Sequence, residues 1–214
     1  MKTTKKLPLN YCVSIIAVKG KGVRCMPKIN KIRTDVLNAI EVAHMIDKSP
    51  TPEIRCMVAL LYNYGMRVTE MIEIKIGDIR IKNDYLYIRT KTLKARAKVI
   101  PEKRTLKRHL SNPFMNYILE HYNSVINSNQ VWLFPSPYNI GSHITRKTVL
   151  NIVTRLDPTV WCHLFRHTRA TIFGEENATE SQLVAWFGWA DSRPAQRYVR
   201  KSERLIQTLA DLDR

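Results

Sequence analysis

The sequence predicts an α+β fold that is mainly α-helical, with one small antiparallel β-sheet or hairpin. Apolar residues recur at helical spacing along most of the chain, and only between about residues 79 and 101 does the period drop to two. A length of 214 residues allows one good core and a small appendage, so a single main domain is expected.

Taken in order, residues 1–28 are basic, carry Gly20 and Gly22 as flexible points and end at Pro27, which suits an arm or linker before a domain at 29–214. Val36, Leu37, Ile40 and Ala43 share a stripe, which predicts a helix over 34–44. Thr51 followed by Pro52 suits a cap and first turn, so a helix over 53–64 follows, ended by Gly65, with another starting near Arg67. Leu86 and Ile88 alternate with Tyr85, Tyr87 and Arg89 as one strand. Residues 97–100 read as its partner, returning after a basic turn. Helices are then expected at about 114–126, 145–155, 164–173 and 181–187, in a short segment carrying Tyr198, and in a tail over 203–214. In that tail Leu205, Ile206, Leu209 and Leu212 form one stripe.

Charge narrows the function. Lys and Arg number 35 against 18 acids, for a net of +17. Residues 1–33 hold nine bases and no acid, and residues 80–110 hold eleven bases against Asp84 and Glu102, so these two blocks carry the whole excess. Self-repulsion concentrated in this way points to a polyanionic partner, of which nucleic acid is the commonest. The chain has no apolar run of membrane-spanning length, and residues 11–18 are too short for a signal peptide. Cys12, Cys25, Cys56 and Cys162 are scattered without paired spacing, so an intracellular, reduced protein with no structural metal is expected.

The chemistry-bearing residues are few. Arg67 and Glu70 stand three apart, as do His163 and Arg166, so each pair shares a helix face. Trp189 follows Gly188, and Tyr198 is one of nine tyrosines. Each has an ordinary structural reading: a surface ion pair, a capping histidine, a packed indole, a core phenol. Their conjunction is what suggests chemistry.

That conjunction closely resembles the tyrosine recombinases of the phage-integrase family. Family members read roughly T-G-L-R-x-S-E-L around a first arginine, and residues 60–71, LLYNYGMRVTEM, are the counterpart here. The family's H-x-L-R-H-x-x-A-T is matched by HLFRHTRAT at 163–171, with Phe165 in place of the usual leucine. A final histidine or tryptophan precedes the family's tyrosine by nine residues, and Trp189 and Tyr198 are nine apart. The resemblance covers about residues 29–199.

It implies the recombinase catalytic fold and a site-specific recombinase or integrase that cleaves and rejoins DNA through a 3′-phosphotyrosine, without metal, ATP or other cofactor. Tyr198 would be the nucleophile. A phenol with a pKa of about 10 attacks poorly unless a base takes its proton, and His163 is the counterpart for that role. Arg67 and Arg166 would clamp the phosphate oxygens, with Trp189 adding an N–H. Glu70 would buttress the arginines, and His167 would support from behind. The family's leaving-group lysine lies on the hairpin, where Lys91 is the best match and Lys94 the second. Arg89, Lys94, Arg96, Lys98 and Arg169 are the expected DNA contacts.

Implied partners are double-stranded attachment sites and further copies of the chain, as a dimer or tetramer on DNA and a monomer when free, with no membrane. The tail would dock on a neighbouring subunit or pack in cis. The resemblance suits a virus, plasmid or other mobile element acting in a prokaryotic cytoplasm or nucleoid. Resealing of the topoisomerase IB kind, or DNA binding without catalysis, are the alternatives.

Overall fold

The computed structural model describes residues 36–91 and 103–199. The basic arm at 1–28, the strand expected at 97–100, the tail at 203–214 and the side chains of Lys94, Arg96 and Lys98 lie outside the described residues.

Helix α1 (Ala39–Asp47) begins five residues later than its apolar stripe suggested. Asn38 is the reason: its side chain accepts from the Glu41 N–H while Glu41 reaches back to the Asn38 N–H, a reciprocal cap that fixes the start. Helix α2 (Pro52–Tyr64) is capped by Thr51 and ends at Gly65, whose φ of +59° is a left-handed conformation that glycine adopts without strain. From Cys56 to Met66 every residue is buried. A helix apolar nearly all round must be covered on every side, and α1 and the later helices Met115–Val125 and Cys162–Glu175 pack against it.

After the short α3 (Val68–Ile72) and a 3₁₀ turn at Ile76–Asp78 comes a three-stranded antiparallel sheet in sequential order, β1 (Ile79–Lys82), β2 (Tyr85–Lys91) and β3 (Lys103–His109). The sheet has one strand more than the hairpin expected. Asn83 and Asp84, with φ of 48° and 60°, form the two-residue turn that joins β1 to β2, a conformation these short polar side chains tolerate. β2 pairs with β3 from Tyr85↔His109 to Lys91↔Lys103, a partner strand later in the chain than expected.

The register sorts the sheet into two unlike faces. Ile79, Leu86, Ile88 and Leu106 turn inward and are buried. Arg80, Lys82, Tyr85, Tyr87, Arg89, Lys91, Lys103, Lys107 and His109 share the other face. There the Lys107 ammonium stands 3.8 Å over the Tyr85 ring, and a hollow of about 380 Å³ opens between Arg80, Tyr87, Arg89 and Thr105.

The remaining helices among the described residues are α4 (Met115–Val125), α5 (Arg146–Leu156), α6 (Cys162–Glu175), α7 (Glu180–Phe187) and α8 (Arg193–Val199). Most join one core around α2. A satellite cluster of Ala170, Leu183, Phe187 and Ala195 fastens α7 and α8 to α6. No helix among the described residues is long and apolar enough to cross a membrane.

A cluster of buried arginines beside a tyrosine

Two helix ends converge on one side of the domain, and their carbonyls organise the site. The last carbonyls of a helix have no partner within it and carry partial negative charge, so they attract cations and donors. At the end of α2, Arg169 Nε donates to the Tyr62 carbonyl (2.9 Å), Trp186 Nε1 to that of Tyr64 (3.0 Å) and Arg166 Nη1 to that of Gly65 (3.0 Å). At the end of α7, the Phe187 carbonyl accepts from Arg166 Nη2 (2.6 Å) and Arg67 Nη1 (3.4 Å), and the Trp186 carbonyl accepts from Arg104 Nε (2.9 Å).

Among these cations lies, within the described residues, one carboxylate. Glu70 is 2% exposed and sits in the first turn of α3, where it accepts the Arg67 backbone N–H at 2.9 Å and Arg67 Nη1 at 2.7 Å. Arg104 meets both of its oxygens, and Arg166 Nη1 stands 3.8 Å away. Burial works to raise the Glu70 pKa, but Arg104, the Arg67 N–H and Arg166 outweigh it and hold the carboxyl below its usual range. One carboxylate against three guanidiniums leaves two excess positive charges in a nearly dry cluster. Burial, with Arg67 next, pushes Arg166 down to about 9, which still leaves it charged at neutral pH.

Beside the cluster a cleft of about 220 Å³ is bounded by Met66, Arg67, Thr69, Arg146, Cys162 and His163. Arg67 and His163 were expected together, whereas Arg146 is an addition from the first turn of α5. Burial, then Arg166, Arg67 and His167, holds the His163 pKa below the ordinary imidazole value, so the ring is neutral and able to accept a proton at neutral pH.

Tyr198, on α8, is half-buried. Its ring stacks on Trp189 (centroids 5.8 Å apart, 7° between planes), and Trp189 in turn stacks on Phe187 at 4.8 Å. Its hydroxyl is hydrogen bonded to His167 Nδ1 at 3.2 Å. His167, expected only to support from behind, is therefore in direct contact with the phenol. Burial raises the Tyr198 pKa, with Arg166 and Arg197 opposing. Gly174 on α6 lets α8 come this close: a Cβ there would lie 2.7 Å from the Tyr198 carbonyl oxygen.

Three other expectations meet the geometry differently. Arg169 is not at the surface: it is 5% exposed, and its guanidinium stands 4.8 Å over the Tyr62 ring and 5.6 Å over that of Phe173, so it braces α6 against α2 and has no open face for DNA. Lys91, expected to protonate the leaving oxygen, stands in an ion pair with Glu73 at 3.5 Å. Arg166 is 2% exposed, with its terminal nitrogens committed to carbonyls. Sequence reasoning missed Arg104, although the strand period marks it: it shares the inward phase of β3 with the buried Leu106, and a charge on that phase needs a buried partner.

Comparison with known proteins gives the family and the fold. The model for the phage integrase family matches residues 31–204. The chain is 26% identical over 198 residues to tyrosine recombinase XerD of Staphylococcus haemolyticus, covering 86% of this chain and 63% of that one. Transposase A from transposon Tn554 of Staphylococcus aureus is 21% identical over 152 residues, 67% of this chain and 42% of that one. The chain thus spans less than two thirds of the length of these relatives. Among solved structures, XerH site-specific recombinase bound to palindromic difH substrate, in a post-cleavage complex, superimposes with a TM-score of 0.65 at 19% identity, covering 85% of this chain and 53% of that one. A lambda integrase dimer bound to a COC′ core site does so with a TM-score of 0.54 at 16% identity, covering 76% and 60%. At these identities the structures establish the tyrosine recombinase catalytic fold.

Proposed function

The chain belongs to the phage integrase family, and from that membership and the geometry above we propose that it is a site-specific DNA recombinase working through a 3′-phosphotyrosine. The observation that carries the reading is the excess-positive cluster of Arg67, Arg104 and Arg166 around Glu70, with Tyr198 packed against its Trp189 edge. The catalytic domain in this reading is 29–214.

The chemistry follows from the groups present. Arg67 and Arg146 line the cleft where a phosphodiester would lie, and Arg166, which shares the Glu70 carboxylate with Arg67, adds its charge to theirs. As the Tyr198 oxygen bonds to phosphorus, its proton passes to His163, the neutral imidazole in the cleft. His167 orients the hydroxyl. The bond from phosphorus to the 5′-oxygen breaks, and Lys91 protonates that oxygen after leaving Glu73. The lysine is half-exposed, so its ion pair is easily given up. Charge accumulating on the non-bridging oxygens meets donors already in place, which lowers the barrier without reorganisation. Attack by a new 5′-hydroxyl reverses the steps and exchanges strands, and the phosphotyrosine bond conserves the energy for resealing.

In this reading the substrates are duplex attachment sites bound by a dimer or tetramer of the chain, in a prokaryotic cytoplasm or nucleoid, on behalf of a virus, plasmid or other mobile element. A nicked suicide duplex carrying the attachment site tests the core claim. The native chain gives a covalent protein–DNA band, and Tyr198→Phe gives none. A band that persists in the variant removes Tyr198 as nucleophile, and plasmid relaxation without strand exchange moves the reading to the topoisomerase kind.

The basic face of the sheet adds a second expected result. Arg89 was expected there, and Arg80, Lys82 and Lys107 join it. Replacing Arg80, Lys82, Arg89 and Lys107 by glutamine should weaken binding equally to specific and random duplexes. It should also flatten the plot of log affinity against log salt by about 0.9 for each phosphate that is no longer neutralised. Anisotropy titrations from low to moderate salt read this directly, and an unchanged slope removes this face from the DNA interface.

A further inference from the structure

We propose that Arg104 is a positioning residue of the strand-transfer site: it joins the sheet to α3 and to the end of α7, and by filling the Glu70 carboxylate it keeps Arg166 out of hydrogen-bond range of that carboxylate. The proposal rests on the recombinase reading above, in which Arg67 and Arg166 serve the phosphate.

The lone pairs of Glu70 are fully allotted. An ionised carboxylate offers about four acceptor positions, two on each oxygen. Glu70 Oε1 accepts from Arg67 Nη1 (2.7 Å) and Arg104 Nη1 (3.3 Å), and Oε2 accepts from the Arg67 backbone N–H (2.9 Å) and Arg104 Nη2 (3.0 Å). All four positions are then taken. Arg166 Nη1, at 3.8 Å from Oε2, is outside hydrogen-bond range and turns instead to the carbonyls of Gly65 and Phe187. Without Arg104, two positions on Glu70 open next to a buried cation, and Arg166 closes on them. It then leaves the carbonyls that hold it, and its charge is spent on Glu70 rather than on a phosphate.

The same guanidinium fixes the sheet. Its Nε donates to the Trp186 carbonyl at 2.9 Å, one residue before Phe187, whose carbonyl holds Arg166. Its neighbour Lys103 pairs across the sheet with Lys91. The side chain is only 11% exposed, so water competes weakly with these bonds. Lysine cannot replace it, because one ammonium lacks the planar fork that spans two carboxylate oxygens while its third nitrogen reaches a carbonyl.

The test uses Arg104→Gln and Arg104→Lys in the full chain, with two readouts. The first needs no DNA: carbon-13 NMR of labelled glutamates follows the Glu70 titration, whose facing charges are Arg67, Arg104 and Arg166. In Arg104→Gln the Glu70 midpoint rises. The second is covalent-adduct formation on the suicide duplex beside the equilibrium affinity for the same duplex. Both variants should form adduct more slowly by about tenfold or more, the scale of a modest misplacement, while affinity changes little. Arg104→Lys restores most of the Glu70 midpoint but not the rate. A Glu70 midpoint unmoved by Arg104→Gln, or a wild-type rate in Arg104→Lys, overturns the proposal. Should Arg104→Gln fail to fold, the rate of the lysine variant decides. Should the native chain form no adduct at all, the recombinase reading fails, while the Glu70 titration still decides whether Arg104 fills the carboxylate.

Discussion

Replacing Glu70 by glutamine should unfold the domain more readily than any surface substitution, by about 3–5 kcal/mol, the cost of leaving buried charges without their counter-ion. The Arg67, Arg104 and Arg166 side chains are 20%, 11% and 3% exposed, so water cannot replace the carboxylate they lose. For a domain of this size the melting temperature should fall by roughly 6–20 °C. Calorimetry or circular dichroism checks it, and a fall of a degree or two would show that the arginines are adequately held by helix carbonyls alone.

The pH dependence gives the same interaction a sign. Glu70 has a lower pKa folded than unfolded. Its ionised form therefore stabilises the fold at pH above the unfolded glutamate value of about 4.3, and that contribution disappears as pH falls through the folded value. The stability gap between native chain and Glu70→Gln should be level from neutral pH into mild acid, then narrow below about 4.3. A gap that widened in acid would contradict the assignment.

Gly174→Ala should separate catalysis from stability. Within α6 alanine is the better helix former by about 1 kcal/mol, so helix propensity alone favours the variant. The new Cβ, however, would lie 2.7 Å from the Tyr198 carbonyl oxygen and 3.0 Å from its carbonyl carbon, and this backbone cannot rotate away as a flexible side chain would. Helix α8 must move, carrying the Tyr198 hydroxyl from His167 and the ring from Trp189. Displacement on the ångström scale costs about 10²-fold in rate. Adduct formation on the suicide duplex should drop by that order while the melting temperature changes by only a few degrees. A variant that cleaves normally would mean that α8 does not rest on Gly174 when the enzyme acts.

Much of the fold was legible in the chain. The helix ends at Thr51 and Gly65 follow from capping chemistry local to a few residues, and α2, α4, α5, α6 and α7 lie close to where periodicity placed them. The expected 34–44 helix was misplaced at its start because the apolar stripe outruns the cap: Leu37 is buried before the helix begins, held by its N–H to Thr168 Oγ1 at 2.9 Å. The first strand was missed because Ile79–Lys82 is only four residues long, too short for alternation to stand out.

The site divides along the same line. Spacing within one helix paired Arg67 with Glu70 and brought His163 and Arg166 to one element, because such contacts span only a turn. What the chain folded upon itself decided is everything that joins residues distant in sequence. Arg169 is a structural brace because the end of α2 offers it the Tyr62 carbonyl. Arg104 is largely covered because the sheet register turns it inward onto Glu70, and Tyr198 meets His167 because α8 crosses α6 at a glycine. Residue types and local spacing by themselves determined the chemistry on offer, a phenol, imidazoles and guanidiniums without paired metal ligands. Tertiary structure decided which guanidiniums hydrogen bond to the Glu70 carboxylate and which turns to helix-end carbonyls, since lone pairs are allotted only when the elements pack.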